Sequence, residues 1–106
     1  MGEFDQYNLF LSRHATDRVR EHHPNARIRG TLAMLNRAEE IESGTAAGLM
    51  GRKPGETPDR YFLAFDRRGI FVIARGNYMP WTLVTYVRLG DSQQEVALRL
   101  WPVVDR

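Results

Sequence analysis

The stretch RYFLAFDRRGIFVIARGNYMPWTLVTYVRL, residues 60 to 89, constrains this chain more than any other. It holds three runs rich in β-branched and aromatic residues, separated by the turn-forming segments DRRG and NYMP. Such runs predict strands near 60–66, 69–75 and 81–89, and turns this short join consecutive strands antiparallel. In the third run, Trp81, Leu83, Thr85, Val87 and Leu89 fall on one face by simple alternation. Thr82, Val84, Tyr86 and Arg88 fall on the other.

The first half has a different period. Ser12 is placed to cap a helix near 13–22, which Pro24 ends, because the residue before a proline avoids the α region. Leu32, Leu35, Ala38 and Ile41 lie at near-helical spacing and predict a second helix from about 30 to 42. SGTAAGLMGRKPGETPD, residues 43–59, has four glycines and two prolines and predicts a flexible loop, with a short strand near 46–50. Residues 1–11 make an N-terminal arm apolar enough to dock on the rest. After the strands, Asp91 or Ser92 with Glu95 three or four positions on has the form of a capping box. It opens a short helix that Val96, Leu98 and Trp101 can pack.

The order helix, helix, three strands, helix predicts an α+β fold. N-terminal helices pack on one face of a small antiparallel β-meander, a short C-terminal helix follows, and the other sheet face is left open to a ligand. A length of 106 residues suits a single domain, 1–106. A 42% hydrophobic and 26% charged composition excludes a disordered or low-complexity chain.

The absence of cysteine excludes disulfides and thiolate metal sites, which fits a cytoplasmic protein. No run approaches the roughly 20 apolar residues that span a bilayer, so no membrane association is expected. The acidic opening MGEFDQYNLFLS lacks the basic start of a signal peptide. No phosphate-binding loop, GxGxxG or HExxH motif is present, and no metal or cofactor is expected.

Charge is segregated. Residues 13–37 carry six arginines against Asp17 and Glu21, and residues 67–90 carry Arg67, Arg68, Arg75 and Arg88 with no acid. Two basic segments predict a basic face for an anionic partner, RNA or another nucleic acid, with Arg13, Arg20, Arg67 and Arg68 as binding contacts. Fourteen of the fifteen basic residues are arginine, whose planar forks suit phosphate. A GC-rich coding sequence is the plainer reason for that ratio, but it does not explain the clustering.

SRHATDRVREHH, residues 12–23, is the densest chemical stretch. His14 and Arg18 are four apart and share a helix face, where they could combine proton transfer with phosphate binding. A solvated polar stripe is the plain alternative. His22 and His23 are adjacent, point apart on a helix, and make a poor metal pair. In the strands, Arg75, Tyr86 and Arg88 interrupt apolar runs, so they must lie on an open face or be paired. An arginine there can neutralise a phosphate and a tyrosine can orient a proton. An exposed cross-strand ladder is the alternative. Thr85 points inward and its hydroxyl needs a partner. Tyr78, Trp81 and Tyr86 could stack on unpaired bases, although Trp81 reads better as core.

The segments RHATDRVREHHP, RYFLAFDRRGIFVIA and LVTYVRL, in that order, resemble a family of small bacterial and phage domains with an HA-x-x-R start and a V-T-Y end. That family looks like a branch of the RelE/BrnT toxins, within the barnase, EndoU, colicin D and RelE-like nuclease fold. The resemblance covers roughly residues 13–90. It implies a metal-independent ribonuclease, in which a 2'-hydroxyl attacks the adjacent phosphate, and an acidic antitoxin or regulatory protein as partner.

Within that pattern His14 matches the motif histidine, as acid or base, and Arg18 the motif arginine, as phosphate ligand. Thr85 and Tyr86 match the last strand. Arg75 and Arg88 are added from the strand pattern alone, as charge stabilisers. The chain differs from the pattern in its long 43–59 segment and in the added QQEVALRLWPVVDR. A non-catalytic module gripping nucleic acid or an acidic protein on the same scaffold is the alternative function.

Overall fold

The computed structural model describes residues 2–52 and 59–103. In chain order the elements are β1 (Leu9–Leu11), α1 (Arg13–His22), α2 (Ile28–Asn36), β2 (Glu39–Ile41), α3 (Ser43–Met50), β3 (Arg60–Leu63), β4 (Gly69–Arg75), β5 (Trp81–Arg88) and α4 (Asp91–Leu100). The strands form one mixed sheet in the order β1-β5-β4-β3-β2. β3, β4 and β5 make the expected antiparallel meander, and α+β describes the fold. No helix among the described residues is long and apolar enough to cross a membrane.

Two strands extend the meander beyond expectation. The arm contributes β1, which pairs parallel with β5 from Leu9↔Trp81 to Leu11↔Leu83. The second predicted helix stops at Asn36, and Glu39–Ile41 forms β2, antiparallel to β3. Ile41 is buried in β2, and burial is also what the helical reading expected of it, so the apolar pattern alone could not separate helix from strand. What decides it is the row of edge hydrogen-bonding groups on β3, which β2 satisfies.

The predicted strand near 46–50 is instead the core of α3. Ala46, Ala47 and Leu49 are buried there, and Gly51 ends the helix in the left-handed region at φ 68°. Of the predicted 43–59 loop, 43–50 is therefore helical, and 53–58 lies outside the described residues.

Helices cover both sheet faces, not one. On the first face Ala15 and Val19 of α1 and Leu35 of α2 pack on Phe62, Phe71, Ile73, Leu83 and Tyr86. On the second, Leu49 of α3 and Ala97 of α4 pack on Tyr61, Leu63, Ile70, Val72 and Leu89. The cause is legible in β4, where GIFVI is one unbroken apolar run rather than an alternating one. A strand of that kind must be covered on both sides.

The ends of the elements follow local chemistry. Ser12 caps α1 as expected, its Oγ accepting from the Ala15 N–H at 3.1 Å, and α1 spans the expected residues. α4 also occupies its expected place, but its N-cap is Gly90 with no side-chain hydrogen bond, so the capping box is not made. The β3–β4 connection is longer than a tight hairpin. It begins after Leu63 and turns through Arg67, which sits at φ 61°.

Candidate functional site

β1 ends where Ser12 leaves the sheet. The Ser12 N–H donates to Leu83 O and its hydroxyl donates to Val84 O at 3.2 Å. From that point the chain becomes α1, and β5 loses its outer neighbour from Val84 to Arg88. α1 then runs beside this free edge. The result is a cleft lined by His14, Arg18, Glu21 and His22 of α1, by β5 from Val84 to Arg88, and by Arg52. Arg52 arrives from the other layer: the left-handed turn at Gly51 lets its N–H reach back to Ala47 O at 2.8 Å.

A bulge sets which β5 side chains face the cleft. Val72 pairs with Thr85 but Ile73 pairs with Leu83, so Val84 is the extra residue. Strict alternation put Leu83 and Tyr86 on opposite faces. The bulge brings them to the same one, where both join the core under α1. Thr85 then alternates away from Tyr86, at the free edge of β5, where its Oγ1 lies 3.2 Å from His14 Nε2. Which atom donates depends on the imidazole tautomer. Thr85 thus has the partner its hydroxyl required, and His14 has a contact across the cleft.

Arg18 pairs with Glu21 at 3.2 Å, with both side chains half exposed. Such a pair is weak and easily exchanged for another anion. His14, Arg18 and His22 recur every four residues on one face of α1, and the first and last are about 12 Å apart along the axis. With Arg52 and Arg88 opposite, three guanidinium groups and two imidazoles face one carboxylate in this cleft.

Tyr86 is the buried wall of the cleft. Its ring packs 4.9 Å from Phe71 and lies 6.2 Å from His22 and 6.3 Å from His23, centroid to centroid. Its phenol end rests on Gly69, where any Cβ would overlap it, which is why position 69 carries no side chain. The hydroxyl is fully buried and has no hydrogen-bond partner. Burial pushes its pKa up to about 12, the Asp66 charge adds to this, and Arg88 opposes it. Arg88 is close enough to act on the phenol but is not in hydrogen-bonding geometry with it.

Of the six predicted catalytic residues, His14, Arg18, Thr85, Tyr86 and Arg88 meet in this cleft. Arg75 does not. It pairs in register with Trp81, and its guanidinium lies 5.8 Å from that ring. Four residues of strand, about 13 Å, separate that position from Thr85.

Among the predicted binding arginines, Arg13, Arg20 and Arg68 are exposed. Arg20 faces a different groove, where its Nε donates to Ala26 O at 3.3 Å. Arg67 is not a surface contact at all. It is 6% exposed, donates to the Trp101, Ala64 and Phe65 carbonyls, and pairs with Glu39 at 3.2 Å. It ties the β3–β4 turn to β2 and to the end of α4. Arg67 could not be told from Arg68 by sequence, because one of the carbonyls that holds it belongs to Trp101, 34 residues away.

Three cleft residues were missed. Glu21 and His22 continue the four-residue stripe from His14 by one more turn, a signal that was available. Arg52 left none, since only the packing of α3 brings it to β5. Among the described residues, no three His, Asp or Glu side chains gather where they could hold one metal ion. Comparison of the chain with family models, with curated proteins and with solved structures finds no match.

Proposed function

We propose that this protein is a small ribonuclease-like domain that cleaves RNA by 2'-hydroxyl attack, with the cleft between α1 and the free edge of β5 as its site. The observation that carries this reading is the 3.2 Å contact between His14 Nε2 and Thr85 Oγ1 in a cleft rimmed by Arg18, Arg52 and Arg88. An imidazole beside three guanidinium groups joins a group that can move a proton to groups that can hold a phosphate. It also unites the two short motifs of the RelE/BrnT resemblance, which are 71 residues apart in the chain.

In this reaction one proton leaves the 2'-hydroxyl for a base, and its oxygen bonds to phosphorus. The bond from phosphorus to the 5'-oxygen breaks, and that oxygen takes a proton from an acid. The products are a 2',3'-cyclic phosphate and a 5'-hydroxyl. His14 serves as one of the two proton carriers, and solvent in the cleft exchanges the second proton, because His22 lies about 12 Å further along the helix, too far to reach the same phosphate. Arg18 and Arg88 hold the phosphate and stabilise charge developing on its oxygens. Tyr86, whose phenol stays protonated to about pH 12, is a wall and hydrogen-bond donor rather than a base.

The test is cleavage of a labelled single-stranded RNA, with cyclic-phosphate ends as readout. His14→Ala should lower the rate at least about a hundredfold, the lower range for a general acid or base, and leave the melting temperature nearly unchanged. Undiminished cleavage by His14→Ala removes the proposal. A second reading is a non-catalytic module that binds nucleic acid or an acidic antitoxin-like protein. The Arg18–Glu21 pair favours it, because it leaves one phosphate ligand partly neutralised. RNA that binds in a salt-dependent way without being cut would support that reading.

A further inference from the structure

The two edges of the sheet are built differently. The β2 edge carries Glu39 and Glu40, held by Arg67 and Arg60 of their own chain, and a second copy paired there would set like charges face to face. The β1 edge, Leu9–Leu11, carries no charge. The Trp81 N–H donates to Asn8 O and the Ser12 N–H to Leu83 O, so Asn8 and Ser12 turn their backbone groups to β5. By alternation Phe10 does the same, and the backbone groups of Leu9 and Leu11 point away from the sheet. The Leu9 N–H folds back to Asp5 O at 3.2 Å, but the Leu9 carbonyl and the Leu11 N–H meet no other strand.

The side chains around this edge differ from end to end. Leu9 and Leu11 pack into the core on the first face, so Phe10 alternates to the second, where it is 47% exposed. Just before the strand, Tyr7 is 79% exposed. At the other end, Leu11, Ala26 and Ile28 line an open groove of about 260 Å3 rimmed by Arg20 and Arg27. Charge has the same polarity: Glu3 and Asp5 precede the strand, and Arg13, Arg20 and Arg27 follow it.

We propose that β1 pairs antiparallel with β1 of a second copy of this chain, about a two-fold axis at Phe10, so that two sheets join into one across a homodimer. The Leu11 N–H donates to the Leu9 carbonyl of the second copy, and the reverse bond forms by symmetry. Phe10 lies opposite Phe10 of the second copy in a non-hydrogen-bonded pair, the kind in which facing side chains come closest. Antiparallel pairing sets the start of each strand against the end of the other. Tyr7 and the acidic arm of one copy therefore meet the apolar groove and arginines of its mate, where a tyrosine ring can pack beside a guanidinium. The two-fold makes each contact twice and closes the assembly at two chains. Thr16 and Arg20, which line the groove, lie on the side of α1 away from His14 and Arg18, so the pairing leaves the cleft open. This assignment stands whatever the cleft does.

Sedimentation equilibrium of the full chain should give about twice the 12.2 kDa of one copy. Phe10→Lys puts two like charges face to face at the axis and should return the mass to that of one copy. Tyr7→Ala should weaken dimerisation roughly tenfold or more, as truncating an interface aromatic does. Leu100→Ser, at an exposed apolar position on α4, should change nothing. The chain has no cysteine, so Phe10→Cys introduces a single thiol. Facing Cα atoms about 4.5 Å apart lie within disulfide range, and oxidised glutathione should link two copies through position 10, whereas Leu100→Cys should stay unlinked.

A chain that sediments as one copy at every concentration at which it stays dissolved overturns the assignment. So does a dimer that survives Phe10→Lys, or one that Leu100→Ser dissociates instead. Assemblies larger than two overturn the closed two-fold. If circular dichroism shows that Phe10→Lys is unfolded, the Phe10→Cys cross-link decides: a covalent dimer upholds the pairing, and its absence overturns it.

Discussion

Tyr86→Phe removes one oxygen from the centre of the molecule, and the structure gives the sign of the effect. Burying a hydroxyl without a hydrogen bond costs about 1–3 kcal/mol on protein mutational scales. The Tyr86 hydroxyl meets that description, with the residue 2% exposed and the oxygen unpartnered. Phenylalanine keeps the ring contacts with Phe71 and Gly69. The substitution should therefore stabilise the folded state by about 1 kcal/mol. For a domain of this length that raises the melting temperature by about 4 °C, read by circular dichroism, with an unchanged denaturant slope.

A pH series isolates the same atom. A phenol whose pKa is raised from its ordinary value of 10.0 to about 12 contributes stability that is present below pH 10 and lost as pH rises toward 12, because the unfolded chain ionises first. The wild type should therefore lose roughly 2–3 kcal/mol more than Tyr86→Phe across that window. If Tyr86→Phe is destabilised by 1 kcal/mol or more at pH 7, the hydroxyl is bonded in the folded protein, and the reasoning about an unused donor fails.

Arg60 joins Glu3 of the arm to Glu40 of β2, with N···O distances of 2.6 and 2.9 Å, and lies 4.8 Å from the Trp81 ring centroid. Its hydrogen bonds lower the pKa of both carboxyls, so their contribution is present above the ordinary carboxyl value of 4.5 and lost as pH falls through the lowered ones. Acid should undock the arm, read as a change in Trp81 fluorescence in a Trp101→Phe background, and Arg60→Met should abolish that transition. Arg67→Ala should destabilise the fold by roughly 2–4 kcal/mol, since it strands buried carbonyls, whereas Arg68→Ala should change stability by less than about 0.5 kcal/mol. In RNA binding, Arg88→Ala and Arg52→Ala should each reduce the slope of log affinity against log salt by about 0.7; an unchanged slope in both would take the phosphate out of the cleft.

The sequence determined by itself what local rules can carry. The β3–β4–β5 meander follows from three β-rich runs and two short connections. α1 follows from Ser12, the histidine–arginine stripe and Pro24, and the pairing of His14 with Arg18 on one face follows from helical spacing alone. Tertiary structure decided everything that depends on a distant neighbour. β1 and β2 are three-residue strands with no periodicity to detect, and they exist because β5 and β3 offer them edges. The bulge at Val84 reverses the inward and outward sense of β5 before Thr85, and no alternation rule applied to the residues themselves could locate it. Arg75 and Arg88 look alike in sequence, and so do Arg67 and Arg68. Packing sends Arg88 to the cleft and Arg75 to Trp81, and buries Arg67 against the carbonyls of Ala64 and Trp101 while Arg68 meets solvent. A charged side chain's role is set by which groups lie within a few ångströms of it, and those groups come from elsewhere in the chain.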